Sequence, residues 1–260
     1  MIRPGSVYSL LGPRDPAPFE VFRAGSDSPF LIVVDHAGRA TPEALARLGL
    51  PETAFDLHIA HDIGALGLAL RMAEALGARV ISQPYSRLVI DCNRAPGQGA
   101  SIVEVADGVT VPGNLGLDPQ ERAARAAEIH APYHRRIGEE LEARNARGPR
   151  TVLVCQHSFT PSLNGVARPW DVGVLHLGDS AISQAMLDLL RDETALTVGD
   201  NEPYAMDGTD FTAPFHARTH GCEMLELEVR QDLIADEAGQ AAMAARLARL
   251  APLALELSRH

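Results

Sequence analysis

The sequence contains no lysine; all 23 of its basic residues are arginine. Without an amine side chain, Schiff-base mechanisms and pyridoxal-phosphate chemistry are excluded. The lysine-dependent phosphate-binding loop is excluded as well. Cysteine is scarce. Cys92, Cys155 and Cys222 stand far apart, in or beside apolar runs, and read as small buried residues instead of a disulfide framework. None carries a local nucleophile signature. No stretch approaches the roughly 18 uninterrupted apolar residues of a membrane span. The opening Met1–Ser6 lacks the apolar core of a secretion signal, so a cytoplasmic protein is expected. Positive charge is in deficit, with a net charge of −11. Nucleic acid, which needs a basic face, is not expected as a partner. A small anion remains compatible if arginines converge locally. What is left is acid–base, metal or serine/cysteine chemistry on 260 residues. That length suits a single domain, 1–260, with a sizeable core.

Residues 1–27 are rich in proline and glycine, show no period, and read as an irregular N-terminal arm. The β-branched run 30–35 predicts a strand. Ile63, Leu66, Leu70, Ala73 and Leu76 recur at three and four, which predicts a helix over 61–76 ended by Gly77. Residues 79–82 and 88–91 read as strands. The glycine-rich stretch 97–117 reads as an insertion or flap. Asp118, Pro119 and Glu121 form the start signal of a long helix reaching about 147. Strands follow at 151–156, 172–176, weakly near 195–198, and at 223–229. Helices are predicted near 180–191, 214–220 and 237–258. Strands alternating with helices predict an α/β domain whose largely parallel sheet is covered on both faces.

In open α/β sheets, ligands collect beyond the carboxyl ends of the strands. His36 closes the 30–35 run and His157 follows 151–156. Arg94 stands three residues after Asp91, and Glu228 lies near the end of the last strand. One strand-end histidine alone is more often an ordinary hydrogen-bonded residue. Their recurrence points to a hydrolytic zinc site, one divalent metal held by three protein ligands with an open position. His36 and His157 are two of the ligands. Asp62 is the candidate third, against a reading as a first-turn carboxylate favoured by the helix dipole; His58 and His61 are rivals. Glu226 and Glu228, two apart on a strand, share a face. Burying unpaired carboxylates is costly, so the pair implies an edge position, a polar cleft or functional use.

Glu228 is expected to be the general base that takes a proton from the attacking water and passes it to the leaving amine. Glu226 is its partner or a solvated neighbour. His216, four residues from His220, is expected to aid the tetrahedral intermediate as an electrophile. His130 and His134, also four apart, read as surface residues. Ser158 lacks the glycine-flanked elbow of serine hydrolases. Arginine presents planar paired donors to a carboxylate. Arg94, with Asn93 beside it, is the expected substrate clamp; Arg87 and Arg168 are weaker candidates, for which structural ion pairs compete. Trp170 is expected to pack its loop against the site wall.

Seven stretches carry a family pattern: 34–38, 62–65, 84–94, 156–159, 168–174, 200–204 and 228–234. The most specific runs from Tyr85-Ser86-Arg87 to Asp91-Cys92-Asn93-Arg94. In that order, over roughly residues 28–235, they resemble the N-formylglutamate amidohydrolase family. The resemblance implies a three-layer α/β/α sandwich with a largely parallel mixed sheet, similar to zinc-dependent exopeptidases. It implies zinc-dependent hydrolysis of a small anionic N-acyl amino acid such as N-formyl-L-glutamate, a step of histidine degradation. It also implies His36, Asp62 and His157 as metal triad, Glu228 as base and Arg94 as carboxylate-binding arginine. Two departures stand out. Gly38-Arg39 replace the Ser-Asn that many relatives carry after the first His-Ala, and Glu226 stands where an apolar residue is more usual. Alternatives are the same chemistry on another N-acyl amino acid or a peptide end, or a non-catalytic metal- or ligand-binding domain. Glu228 counts against the last, since a sensor needs no base beside its metal.

Overall fold

The β-branched and apolar runs pair into one mixed seven-stranded sheet. The computed structural model describes residues 9–23, 25–148, 150–178 and 180–259. Along the chain come β1 (Glu20–Phe22), β2 (Phe30–Val34), α1 (Ala65–Leu76) and β3 (Arg79–Ser82). A small hairpin follows, β4 (Val105–Ala106) and β5 (Val109–Thr110), then α2 (Pro119–Arg125) and α3 (Ala131–Asn145). Next are β6 (Val152–Phe159), a second hairpin of β7 (Ser162–Leu163) and β8 (Val166–Ala167), β9 (Val172–Leu175) and α4 (Ala181–Arg191). β10 (Val198–Asp200), α5 (Thr212–His220), β11 (Glu223–Arg230) and α6 (Glu237–Leu257) complete the fold. The sheet order is β1-β3-β2-β6-β11-β9-β10. β3, β2, β6 and β11 are parallel. β9 and β10 run against β11 as a parallel pair, and β1 closes the other edge antiparallel to β3.

The period of two sorts the strand side chains into two cores. Ile32, Val154, Leu225 and Leu227 pack with residues of α1, α4 and α6. Leu31, Val33, Leu153 and Cys155 pack on the other face with Tyr133, Ile137 and Leu141 of α3 and Ala213 of α5. The result is the expected α/β/α layering around a largely parallel sheet. Among the described residues, no helix is long and apolar enough to cross a membrane.

Several predicted elements change. Within the arm predicted as irregular, Glu20–Phe22 form the edge strand β1, a run too short to show a period; residues 1–8 lie outside the described residues. Residues 88–91 are a buried turn, not a strand. Asn114 Nδ2 donates to the Leu88 carbonyl at 2.9 Å and Arg125 Nη1 to that of Val89 at 2.9 Å, so side chains replace a ladder. The helix predicted from 61 begins at Ala65, because Gly64 turns left-handed (φ 81°) where a Cβ would meet the Ile234 carbonyl oxygen at 2.1 Å. Asp62 is thereby freed from the helix. The long helix runs as predicted, from Pro119 to Asn145, with a π-helical turn, Ala126–His130, set into it just before Pro132, which has no N–H to continue the ladder. β6 extends to Phe159, so His157 lies inside the strand. The glycine-rich stretch 97–117 is pinned by buried Asn114, whose Nδ2 also donates to the Val103 carbonyl at 2.7 Å.

Candidate functional site

Three side chains from separate elements meet at the carboxyl ends of β2 and β6. Ligating atoms of His36, Asp62 and His157 all lie within 4.8 Å of one another, and all three residues are buried. Asp62 Oδ2 is 3.4 Å from His36 Nδ1 and 3.0 Å from His157 Nδ1. His36 stands two residues past the end of β2, and the hydrogen bond from Asp62 N to the His36 carbonyl (2.9 Å) ties the loop before α1 to that strand end.

Carboxylates stand behind both imidazoles. His36 Nε2 is 2.7 Å from Asp91 Oδ1. His157 Nε2 is 3.4 Å from Asp35 Oδ2, and Tyr133 donates its hydroxyl to Asp35 Oδ1 at 2.8 Å. A proton on each Nε2 leaves the Nδ1 lone pairs facing Asp62. Arg87 lies against the same point: its guanidinium contacts His36 Nδ1 and reaches Asp62 Oδ1 at 3.3 Å and Asp91 Oδ2 at 3.6 Å. The local field favours positive charge. Burial opposes the imidazolium of His157, yet Asp35 and Asp62 outweigh it and raise the group well above its ordinary range. Burial and Arg87 push His36 down, but Asp91 and Asp62 carry it upward overall. Burial pushes the Asp62 carboxyl up, and Arg87, His36 and His157 more than reverse this. Two imidazole nitrogens and a carboxylate oxygen, oriented by outer carboxylates in a field that favours a cation, suit a divalent ion such as zinc.

These residues open on a cavity of about 520 Å³ that Glu226 and Glu228 also line. Both glutamates are buried, and each has an Oε2 without a hydrogen-bond partner among the described residues. Because β11 lies between β6 and β9, the edge-strand explanation of this pair is excluded. Burial pushes the Glu228 carboxyl up to about 7, with His157 pulling against it and Asp62 adding to it. Burial likewise pushes Glu226 up to about 8.

The remaining predicted residues separate. Arg94 lines the cavity; its Nη1 donates to Asp210 Oδ1 at 3.0 Å and to the Asn93 carbonyl at 2.7 Å. Asn93 lines it too, but its Oδ1 accepts from Phe211 N (3.0 Å) and Thr212 N (2.9 Å), so its carbonyl serves the start of α5. Arg168 is not a lining residue: it stacks on Tyr204 and donates to that hydroxyl at 2.9 Å, so Tyr204 stands in the wall instead. His216 is off the cavity as well, against the expected electrophilic role. α5 packs on α3 and buries His216 with its Nε2 3.1 Å from His134 Nδ1, and burial pushes it down to about 4. His130 and His134, predicted at the surface, are buried in this same layer. His58 lines the cavity 3.8 Å from Asp62, whereas His61 and Trp170 do not line it. Asp35, Asp91 and Asp210 went unread as site residues. The signals for the first two were their places in the stretches 34–38 and 84–94, next to His36 and three residues before Arg94.

Residues 28–235 match the family model described as N-formylglutamate amidohydrolase. An N-formylglutamate deformylase of Pseudomonas aeruginosa is 32% identical over 148 residues, 50% of this chain and 52% of that protein. The chain thus spans about half the length of this curated relative. A gene product of Agrobacterium tumefaciens with a crystal structure is 35% identical and superposes with a TM-score of 0.93, covering 96% of this chain and 100% of that one. The crystal structure of N-formylglutamate amidohydrolase from Ralstonia eutropha JMP134, 20% identical, superposes at 0.71 over 94% and 99%, a likeness of fold. With the family model spanning most of its length, this chain belongs to the N-formylglutamate amidohydrolase family.

Proposed function

We propose that this protein hydrolyses the amide bond of a small N-acyl amino acid, the class that includes N-formyl-L-glutamate, with one zinc ion per chain. The observation that supports it most is the convergence of His36, Asp62 and His157 in one cavity with the partnerless carboxylate of Glu228. The metal, held by His36, Asp62 and His157, would polarise the acyl carbonyl and make water acidic enough to attack it. Glu228 takes a proton from the attacking water and delivers it to the nitrogen as the C–N bond breaks, releasing a carboxylic acid and a free amine. Burial, which pushes the Glu228 carboxyl up, favours its holding a proton between the two steps. Asp91 holds the His36 imidazole with Nδ1 forward through a hydrogen bond at 2.7 Å, and the Asp35 carboxylate faces His157 Nε2 at 3.4 Å. Arg94, with only Nη1 engaged among the described residues, keeps further donors for the α-carboxylate of the substrate.

The test is amine release from a panel of N-formyl and N-acetyl amino acids by zinc-loaded protein. Turnover is expected in the wild type and not in His36→Ala. No amine from any member would contradict the assignment.

A further inference from the structure

We propose that Glu226 receives a cationic side chain, so that this cavity takes N-acylated basic amino acids in preference to N-acylated dicarboxylates. This rests on the amidohydrolase reading above and names its substrate class. Glu226 lies two residues before Glu228 on β11 and lines the same cavity, at 1% exposure. Its cross-strand neighbours are Cys155 and Leu175, neither of which brings a cation. No hydrogen bond within the described residues reaches its Oε2. A buried carboxylate oxygen facing a cavity without a partner leaves a place that a ligand's donor fills.

The protein's own cations are committed elsewhere. Arg87 is paired with Asp62 and Asp91, Arg94 with Asp210, and Arg168 stacks behind Tyr204. Asp207 accepts hydrogen bonds from the N–H and hydroxyl of Thr209, within its own turn. Five aspartates, two glutamates and two arginines line the cavity, so the aspartates alone outnumber the arginines. A divalent ion at the triad removes two of the excess negative charges and leaves the cavity acidic. A second carboxylate on the substrate would add to that field; an ammonium or guanidinium would meet it. With its α-carboxylate on Arg94, such a substrate presents its cationic end to Glu226, across the cavity that both residues line. The volume, about 520 Å³, accommodates a side chain of that length.

The experiment compares N-formyl-arginine, N-formyl-lysine, N-formyl-leucine and N-formylglutamate with zinc-loaded wild type and Glu226→Gln. Calorimetric binding of the arginine and glutamate compounds to Glu228→Gln runs alongside. The expected result is a kcat/KM for the basic substrates at least tenfold above that for N-formylglutamate. Tighter binding of the arginine compound should accompany it, and Glu226→Gln should cut the arginine-to-glutamate ratio at least tenfold. Preference for N-formylglutamate in turnover or binding, or a ratio untouched by Glu226→Gln, would overturn the inference. Absence of turnover with the arginine preference retained in binding would sink the hydrolytic reading and uphold the charge preference.

Discussion

His157 on β6 and Glu228 on β11 stand opposite each other in register on adjacent parallel strands. The sheet ladder, rather than a loop, therefore fixes the His157 imidazole relative to a carboxylate whose Oε2 has no hydrogen-bond partner among the described residues. For Glu228→Gln, metal content should stay at the wild-type level while kcat falls by about 10²–10⁴-fold, the usual contribution of a general base. Steady-state kinetics with metal analysis on the same preparation decides this. Unchanged kcat would reduce Glu228 to a structural residue.

Asp91 accepts from His36 Nε2 at 2.7 Å and from Asn93 N at 2.9 Å, so it orients the ring and braces the turn leading to Arg94. Asp91→Asn should weaken zinc binding by about 10–100-fold, as expected when the carboxylate behind a ligating imidazole is lost. Competition against a chelating indicator measures this without reference to turnover. Wild-type affinity would show that His36 needs no such support.

Gly38 comes two residues after His36. A Cβ there would stand 2.1 Å from the Pro84 carbonyl oxygen, which already accepts from Ala40 N at 3.1 Å. Gly38→Ala must push two backbone segments apart. It should cost on the order of 1–3 kcal/mol, the usual range for overpacking, and lower zinc affinity by moving His36. Thermal melts and metal titration read the two effects; an unaltered Tm would show that the contact is easily relieved.

Much of this was legible in the sequence because strand periodicity and chemistry coincide. Runs such as 30–35 and 223–229 announce buried strands, and polar residues at their ends announce a site. The pairing of Asp91 with His36 spans 55 positions and depends on a turn that an apolar run cannot distinguish from a strand. His216 misleads for a related reason. Spacing of four places His216 and His220 on one helix face, but not whether that face meets a cavity or the histidines of α3. Glu226 was legible as an anomaly, and only the central position of β11 shows that solvent does not explain it.

Glu140 joins α3 to β3. It pairs with Arg79, and accepts from Arg136 Nη2 at 3.1 Å and Arg144 Nε at 3.0 Å. Burial pushes its carboxyl up, but the hydrogen bond from Arg144 and the charge of Arg79 outweigh this, and the net shift is downward. A carboxyl depressed in the folded state stabilises above its unfolded pKa, and that contribution is lost as pH falls through the folded value. Glu140→Gln should cost about 3 kcal/mol at neutral pH, as for other broken buried ion pairs. The difference from wild type should shrink in the acid range. Urea melts across pH test this; a pH-independent difference would assign the effect to packing.

The most direct test of the whole scheme is elemental analysis of purified wild-type protein and His157→Ala, each equilibrated with zinc and freed of excess. About one zinc per chain in the wild type, and little in the variant, is the result expected of a site with three protein ligands. A wild type that retains no divalent metal, or a variant that retains as much as the wild type, would contradict it.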